Sequence, residues 1–335
     1  MNYEGIKLEK GMYAVSGKSF SEVLESLDPT QNYEGTADAN LDAFGRQLKR
    51  FDIKVSGQGS DCVSKFFATT QSAALFPEYV SRAVRQGMEE SKVLDSIVAT
   101  KTHIDGLDYR TIASIPTEDE RELKLVGEGA YIPQTYIHTQ ENLVKLNKRG
   151  RMLVASYEAL KFQRIDLFTV TLKQIGAYIA RQQLADAIKV LRFGDGNENG
   201  ATLISSEEEE VLTYVDLLKL VDALDPYQLT TLIAPPKMMM KILELPEFKN
   251  PVTGINFQGT GKMGHLFGAE FIKSSALPIQ NIMGIDKTCA LEMVIASDVS
   301  VDYDKLIDRQ LERAAITSTV GFAKIFNDAC KVLAI

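Results

Sequence analysis

Between Ile165 and Phe193 the chain places apolar residues at Ile165, Phe168, Leu172, Ile175, Ile179, Leu184, Ile188 and Leu191, in steps of three to five with no proline. That spacing keeps one stripe on one side of an α-helix. Asp166 stands in the first turn, where the helix dipole favours a carboxylate, and Phe193-Gly194-Asp195-Gly196 supplies the stop. At about 1.5 Å of rise per residue the helix is about 42 Å long, as long as a small domain is wide. Such a helix is a spine for whatever precedes and follows it. Its opposite face, with Lys173, Gln174, Arg181, Gln182, Asp186 and Lys189, has to meet water or a partner.

Residues 1–75 read as an N-terminal arm. Ser19-Phe20-Ser21-Glu22 is a capping box that opens a short helix, which Asp28-Pro29 ends. Leu41, Phe44, Leu48 and Phe51 suggest a second helix before Gly57-Gln58-Gly59-Ser60 breaks the pattern. Neither helix has an obvious nearby partner, so the stripe is expected to be covered by a neighbouring subunit; packing on their own domain is the alternative. Leu75–Met88 reads as a further helix segment, with Pro77 well placed as a first helical residue.

The chain then becomes extended. Asp95–Ile104 and Leu107–Ile115 flank Asp105-Gly106, a two-residue hairpin signal. Thr117-Glu118-Asp119-Glu120-Arg121-Glu122 is a charged turn, expected at the tip of a projecting loop and in contact with an adjacent subunit. Gly127-Glu128-Gly129-Ala130-Tyr131-Ile132-Pro133 is a glycine-rich corner, and Leu143–Asn147 pairs plausibly with Met152–Ala155 across Lys148-Arg149-Gly150. Part of 95–155 should therefore project as a long β-hairpin.

After the spine, helices and strands alternate over about 210–300, which suggests a compact α/β lobe. Ser206-Glu207-Glu208-Glu209 starts a helix carrying Val211, Tyr214, Leu217, Leu218 and Val221. Leu229–Ala234 reads as a strand, and Pro235-Pro236 opens a helix through Leu245. Further strands are expected at His265–Ile272 and Cys289–Ala296, and Ile307–Ile335 is mostly extended.

Motifs of catalysis and ligand binding each fail on spacing or context. Gly11-Met12-Tyr13-Ala14-Val15-Ser16-Gly17-Lys18-Ser19 has five residues between its glycines where a phosphate-binding loop needs four, so it reads as a helix-entry turn. Gly259-Thr260-Gly261-Lys262-Met263-Gly264 matches GxGxxG but is followed by a strand, not a helix, and reads as a loop. Asp195-Gly196-Asn197-Glu198-Asn199-Gly200 resembles half a calcium loop, yet its twelfth position is Ser206. His103, His138 and His265 lie far apart, and Met238-Met239-Met240 reads as helix packing. No catalytic residue, cofactor or metal is therefore expected.

Three cysteines without CxxC spacing argue against a disulfide framework and a zinc ribbon. Met1-Asn2-Tyr3-Glu4-Gly5 has no apolar segment of a signal peptide, and no apolar run approaches the roughly 20 residues that span a bilayer. The expectation is a chain made and kept in a cytoplasm, without membrane contact. A net charge of −8 repels phosphate rather than collecting it.

Arm, hairpin, spine and lobe together resemble the major capsid protein of tailed bacteriophages, the Hong Kong 97 phage-like fold. Leu75-Phe76-Pro77-Glu78-Tyr79-Val80-Ser81-Arg82-Ala83-Val84-Arg85-Gln86-Gly87-Met88 resembles the segment after the N-arm in one branch of that family. Gly127–Pro133 is similar to the corner of its extended loop, Val144–Tyr157 to the strands leading to its spine, and Phe193–Gly196 to the spine stop. Phe326-Asn327-Asp328-Ala329-Cys330-Lys331-Val332-Leu333 is similar to its last strand.

The resemblance implies an α+β fold: an arm over 1–75, and a peripheral domain over 76–205 with an extended loop at about 100–150 and the spine at 165–193. It further implies an axial domain over 206–300 and return strands over 301–335. It also implies hexamers and pentamers of an icosahedral virion shell around double-stranded DNA. Scaffolding, portal and decoration proteins would be its partners, and assembly would take place in the host bacterial cytoplasm. Some members join a loop lysine to an asparagine of a neighbour. The matching stretch here, Asp302–Glu312, has no asparagine, so no such bond is expected. An encapsulin-type nanocompartment is the alternative, and a soluble enzyme using the 195–200 or 259–264 glycines is a third reading.

Overall fold

The computed structural model describes residues 3–15, 18–91, 93–113, 125–128, 138–208, 210–249 and 265–335. Its contacts divide into two compact units. The first comprises Met1–Ser91, Arg149–Ile179 and Val299–Ser318; the second comprises Lys92–Lys148, Ala180–Asp298 and Thr319–Ile335. The consecutive blocks expected at 1–75, 76–205, 206–300 and 301–335 do not coincide with these units. Late strands return to pair with early segments, so sequence neighbours are split between cores.

The first unit is built on helices Phe20–Leu27, Ala43–Arg50, Phe76–Ser91 and residues 165–179 of the long helix Ile165–Phe193. The Ser19 capping box forms as expected, and Asp28 is the C-cap. Phe20, Leu24, Phe44, Leu48, Phe66, Phe76, Val80, Leu172 and Ile175 share one core. Helix Phe76–Ser91 crosses the long helix at backbone distance: a Cβ on Gly87 would collide with the Lys173 carbonyl, and one on Gly176 with that of Val84.

The expected turn at Lys148-Arg149-Gly150 is instead the interior of one continuous strand, Leu146–Ser156. Gly150 is needed there for proximity and not for a bend, because a Cβ would lie 2.5 Å from the Ile316 carbonyl oxygen.

The second unit carries a five-stranded sheet in the order Thr202–Ser205, Cys330–Ala334, Asn281–Ile285, Thr231–Ala234, Glu270–Lys273. The outer pairs are parallel and the inner ones antiparallel. The central strands are Ile-, Val- and Leu-rich and buried, as expected where both faces are covered. Leu184, Ile188 and Leu191 of the long helix join Ile285, Met283 and Val332 in one core, while Leu217, Leu220, Met238, Met239 and Ile242 form another with Leu232 and Ile282.

Two local expectations are corrected in this unit. Asp105-Gly106 does not join a hairpin: Thr100–His103 pairs parallel with Glu292–Ile295, and Ile112–Ala113 pairs with His138–Thr139. An isolated two-stranded turn has little stability of its own, and Thr100–His103 is paired in register along the strand Leu291–Leu306 instead. Ser206, Glu207 and Glu208, expected to start a helix, lie outside any helix, and Glu209 lies outside the described residues. Thr213 and Asp216 form the capping box that opens Tyr214–Asp222, while Glu207 stays outside it and pairs with Lys219 at 2.7 Å.

Candidate assembly surfaces

A protein that associates must leave apolar or complementary surface unpaired in its own fold. The N-terminal stripe does not qualify. Phe44 is 3% exposed and Leu48 is 8% exposed, both inside the first core of their own chain, while Leu41 and Phe51 remain half-buried. The expectation that residues 1–75 are an arm whose stripe is covered by a neighbour is thus corrected for Phe44 and Leu48.

Arg82 shows why these helices are held. Its guanidinium reaches Asp42 Oδ2 at 2.6 Å and donates to Glu78 Oε1 at 3.0 Å and Ser21 Oγ at 2.5 Å, with the cation 4.4 Å from the centre of the Phe44 ring. Three helices meet on one side chain. Nothing in local spacing marks that contact, since the partners are up to 61 residues apart.

The outer face of the long helix is a better candidate. Leu167 and Val170 are 61% and 62% exposed, and Tyr178 is exposed on the same face. Spacing of three and eleven from Leu167 puts all three in one row. The polar positions of the helix are expected to form an outward face. Gln174, Arg181, Gln182 and Lys189 do face solvent, and Lys173 pairs with Glu90 at 2.8 Å, but large apolar residues stand among them. Immediately upstream Met152, Val154 and Phe162 are exposed too. In the second unit Val215 and Leu218, three apart on helix Tyr214–Asp222, form a smaller exposed pair, and Val211 is exposed just before that helix. The outward placement of these residues was not visible in the sequence because either face of the helix carries enough apolar residues to be buried.

The charged turn Glu118, Asp119, Glu120, Arg121 and Glu122 lies outside the described residues, as does Gly259–Gly264. Gly127-Glu128 of the corner is described and exposed, and Gly129–Pro133 lies outside.

The calcium-like turn is filled from within. Asp195 Oδ1 accepts from Asn197 Nδ2 at 2.8 Å, and Asp195 Oδ2 accepts from the Lys324 backbone N–H at 3.0 Å. The fully buried Lys324 ammonium donates to the Asn199 carbonyl at 2.7 Å, and burial pushes its pKa down. An internal ammonium thus bonds the backbone of the turn that resembles half a calcium loop. Among the described residues no group of three or more His, Cys, Asp or Glu is placed to hold a metal ion. All three cysteines are free thiols. Lys10–Ala14 is a single 3₁₀ turn, His103 is a strand residue opposite Ile295, and Met238 and Met239 are core while Met240 is exposed. Among the described residues no helix is long and apolar enough to cross a membrane.

No curated protein matches the chain. A family described as phage capsid protein matches residues 139–316, just over half of the sequence. Among solved structures the chain is similar to a virus-like particle from Pyrococcus furiosus, with 14% identity and a TM-score of 0.53 over 77% of this chain and 99% of that one. It is similar to the capsid of a native GTA particle at 15% identity and TM-score 0.53, over 73% of this chain and 90% of that one. The capsid of the cyanophage P-SCSP1u is alike at 12% identity and TM-score 0.51, over 72% and 87% of the two chains. At such identities the likeness is one of fold. Together with the family match it closes the argument begun by the spine helix: the chain belongs to the phage capsid protein family, as a major capsid protein with the α+β Hong Kong 97 phage-like fold.

Proposed function

We propose that the chain builds the head of a tailed bacteriophage, assembling into hexamers and pentamers of an icosahedral shell that encloses double-stranded DNA. The observation that carries this reading is the family match over 139–316, a span that includes the whole long helix with its exposed Leu167–Val170–Tyr178 row. Closed shells need repeated heterologous contacts, and an apolar row on a rigid helix offers one side of such a contact. The half-buried Leu41 and Phe51, and Glu118, Asp119, Glu120, Arg121 and Glu122, are further contact candidates.

In this reading the chain is a structural protein, not an enzyme. In the shell, residues 76–205 take the peripheral place and 206–300 the axial place, although the compact units cut across those blocks. Scaffolding, portal and decoration proteins join it in the host bacterial cytoplasm, and the finished chain resides in the virion. A net charge of −8 suits a container whose DNA must slide rather than stick. Light scattering and electron microscopy of the purified chain, with candidate scaffolding protein supplied, test the proposal. Closed particles support it, and monomers or small oligomers under every condition overturn it.

A second reading, an encapsulin-type shell around protein cargo, is favoured by the likeness to the Pyrococcus furiosus particle, which the match spans almost completely. Nuclease-protected double-stranded DNA in particles from the native source supports the phage head, and a protein cargo without it supports the compartment.

A further inference from the structure

Two buried polar centres in the second unit converge on one short strand pair. Glu292, buried at the start of the strand Leu291–Leu306, accepts from Thr102 Oγ1 at 2.5 Å, from the Tyr109 hydroxyl at 2.8 Å and from the Thr111 hydroxyl. All three donors come from the outgoing leg that ends in Ile112–Ala113. The Tyr109 hydroxyl is held un-ionised, its pKa raised by burial and by the bond to Glu292. The return leg is tied elsewhere. Buried Gln140 donates from Nε2 to the Lys324 carbonyl at 2.9 Å and accepts from Asn197 Nδ2 at 2.8 Å. Asn142 donates to Asn197 Oδ1 at 3.1 Å and to the Gly196 carbonyl at 2.8 Å. The legs meet where the Gln140 N–H donates to the Thr111 carbonyl at 2.9 Å and the Val144 N–H to that of Tyr109 at 2.8 Å.

The ladder between them is two residues long on each side, Ile112–Thr139 and Ala113–His138. So short a pair has little stability of its own. Burying the Glu292 carboxylate and the Gln140 amide is costly unless each is satisfied, and half-buried Asn197 supplies one of Gln140's partners, so this position concentrates directional bonds where apolar packing would hold less firmly. We propose that Glu292 and Asn197 are positioning residues that clamp the two legs of this excursion, Glu292 the outgoing leg and Asn197 the return. The helix stop Asp195–Asn199, which looked like a calcium loop, thereby serves as the second jaw. Holding the legs 109–113 and 138–144 before contact lowers the ordering cost of any contact these legs make with a neighbour. That last use rests on the shell reading above; the clamp itself does not.

The test is hydrogen exchange on the full-length chain, comparing wild type with Tyr109→Phe/Thr111→Val and with Asn197→Ala. The first variant removes two donors at nearly constant volume. Amides of 109–113 and 138–144 should exchange roughly tenfold faster in both variants, while Asn281–Ile285 and Cys330–Ala334 keep wild-type protection. Unchanged exchange in the two legs overturns the clamp, as does equal acceleration throughout the second unit. If the double variant does not fold, Tyr109→Phe alone is measured against the same two outcomes. Particle yield is scored on the same samples: fast legs with reduced particles support the role in assembly, and fast legs with wild-type particles overturn that role while the clamp stands.

Discussion

Arg46 Nε lies 2.6 Å from Asp28 Oδ2, and the two side chains are 0% and 4% exposed, so a complete ion pair is enclosed by the N-terminal helices. The guanidinium also donates to the carbonyls of Asp28 at 2.6 Å and Leu41 at 2.5 Å and to Thr30 Oγ1 at 3.3 Å. It lies 4.1 Å from the centre of the Tyr33 ring, whose hydroxyl donates to Asp28 Oδ1 at 2.7 Å. Saturation of the donors is what makes such burial tolerable. Arg46→Met strands the Asp28 carboxylate and should cost about 3–5 kcal/mol in denaturant unfolding. Arg46→Met with Asp28→Leu should lose less than the sum of the single variants, since neither charge is then orphaned.

Phe44→Ser with Leu48→Ser should unfold the first unit in the unassembled chain. Removing each large core side chain costs about 2–5 kcal/mol, and the total approaches the whole stability of a domain. Thermal unfolding followed by circular dichroism decides it. A folded double variant with wild-type melting would return the stripe to the surface.

Gly87→Ala and Gly176→Ala should each lower the melting temperature, because the new methyl meets backbone carbonyls of the crossing helix, which cannot swing aside as a side chain can. Overpacking of this kind costs about 1–3 kcal/mol. Helix propensity acts the other way, in favour of alanine, so a net loss in calorimetry isolates the contact.

Burial alone would raise the Asp216 carboxyl, but bonds from the Thr213 hydroxyl at 2.6 Å and from the N–H groups of Thr213 and Glu207 at 3.0 Å, with Lys219 nearby, hold it below the usual carboxylate range. A depressed folded pKa means that its stabilisation is complete above the unfolded value, about 3.9, and is lost as pH falls through the lower folded value. Asp216→Asn should therefore cost roughly 1–3 kcal/mol at neutral pH. The gap from wild type should narrow only below about pH 4 in acid titrations of stability.

Leu167→Ser with Val170→Ser should leave unfolding of the unassembled chain within about 0.5 kcal/mol of wild type, since both side chains are already in water. Particle yield should fall if this row is a contact between copies. Normal yield and particle melting would remove it from the assembly surfaces.

The long helix was legible to its last residue, because one apolar stripe, an acidic first turn and a glycine stop all act within a few residues of one another. The Ser19 capping box and the Pro236 helix start were legible for the same reason. Family membership was readable from the order of such elements. Which surfaces face outward was not. The apolar residues Phe44 and Leu167 look alike in a helical pattern, yet one lies buried in the core that also holds Phe76, Val80 and Leu172 and the other is exposed.

Asp105-Gly106 and Lys148-Arg149-Gly150 carried turn chemistry that lost to pairing with strands from 291–324. Arg46, Lys324 and Glu292 carry no local mark of burial and are core residues, because their partners lie as far as 190 positions away. Periodicity and caps are short-range physics and are written in adjacent residues. Burial of a charge is settled by the groups that satisfy it, and only the folded chain brings those groups together.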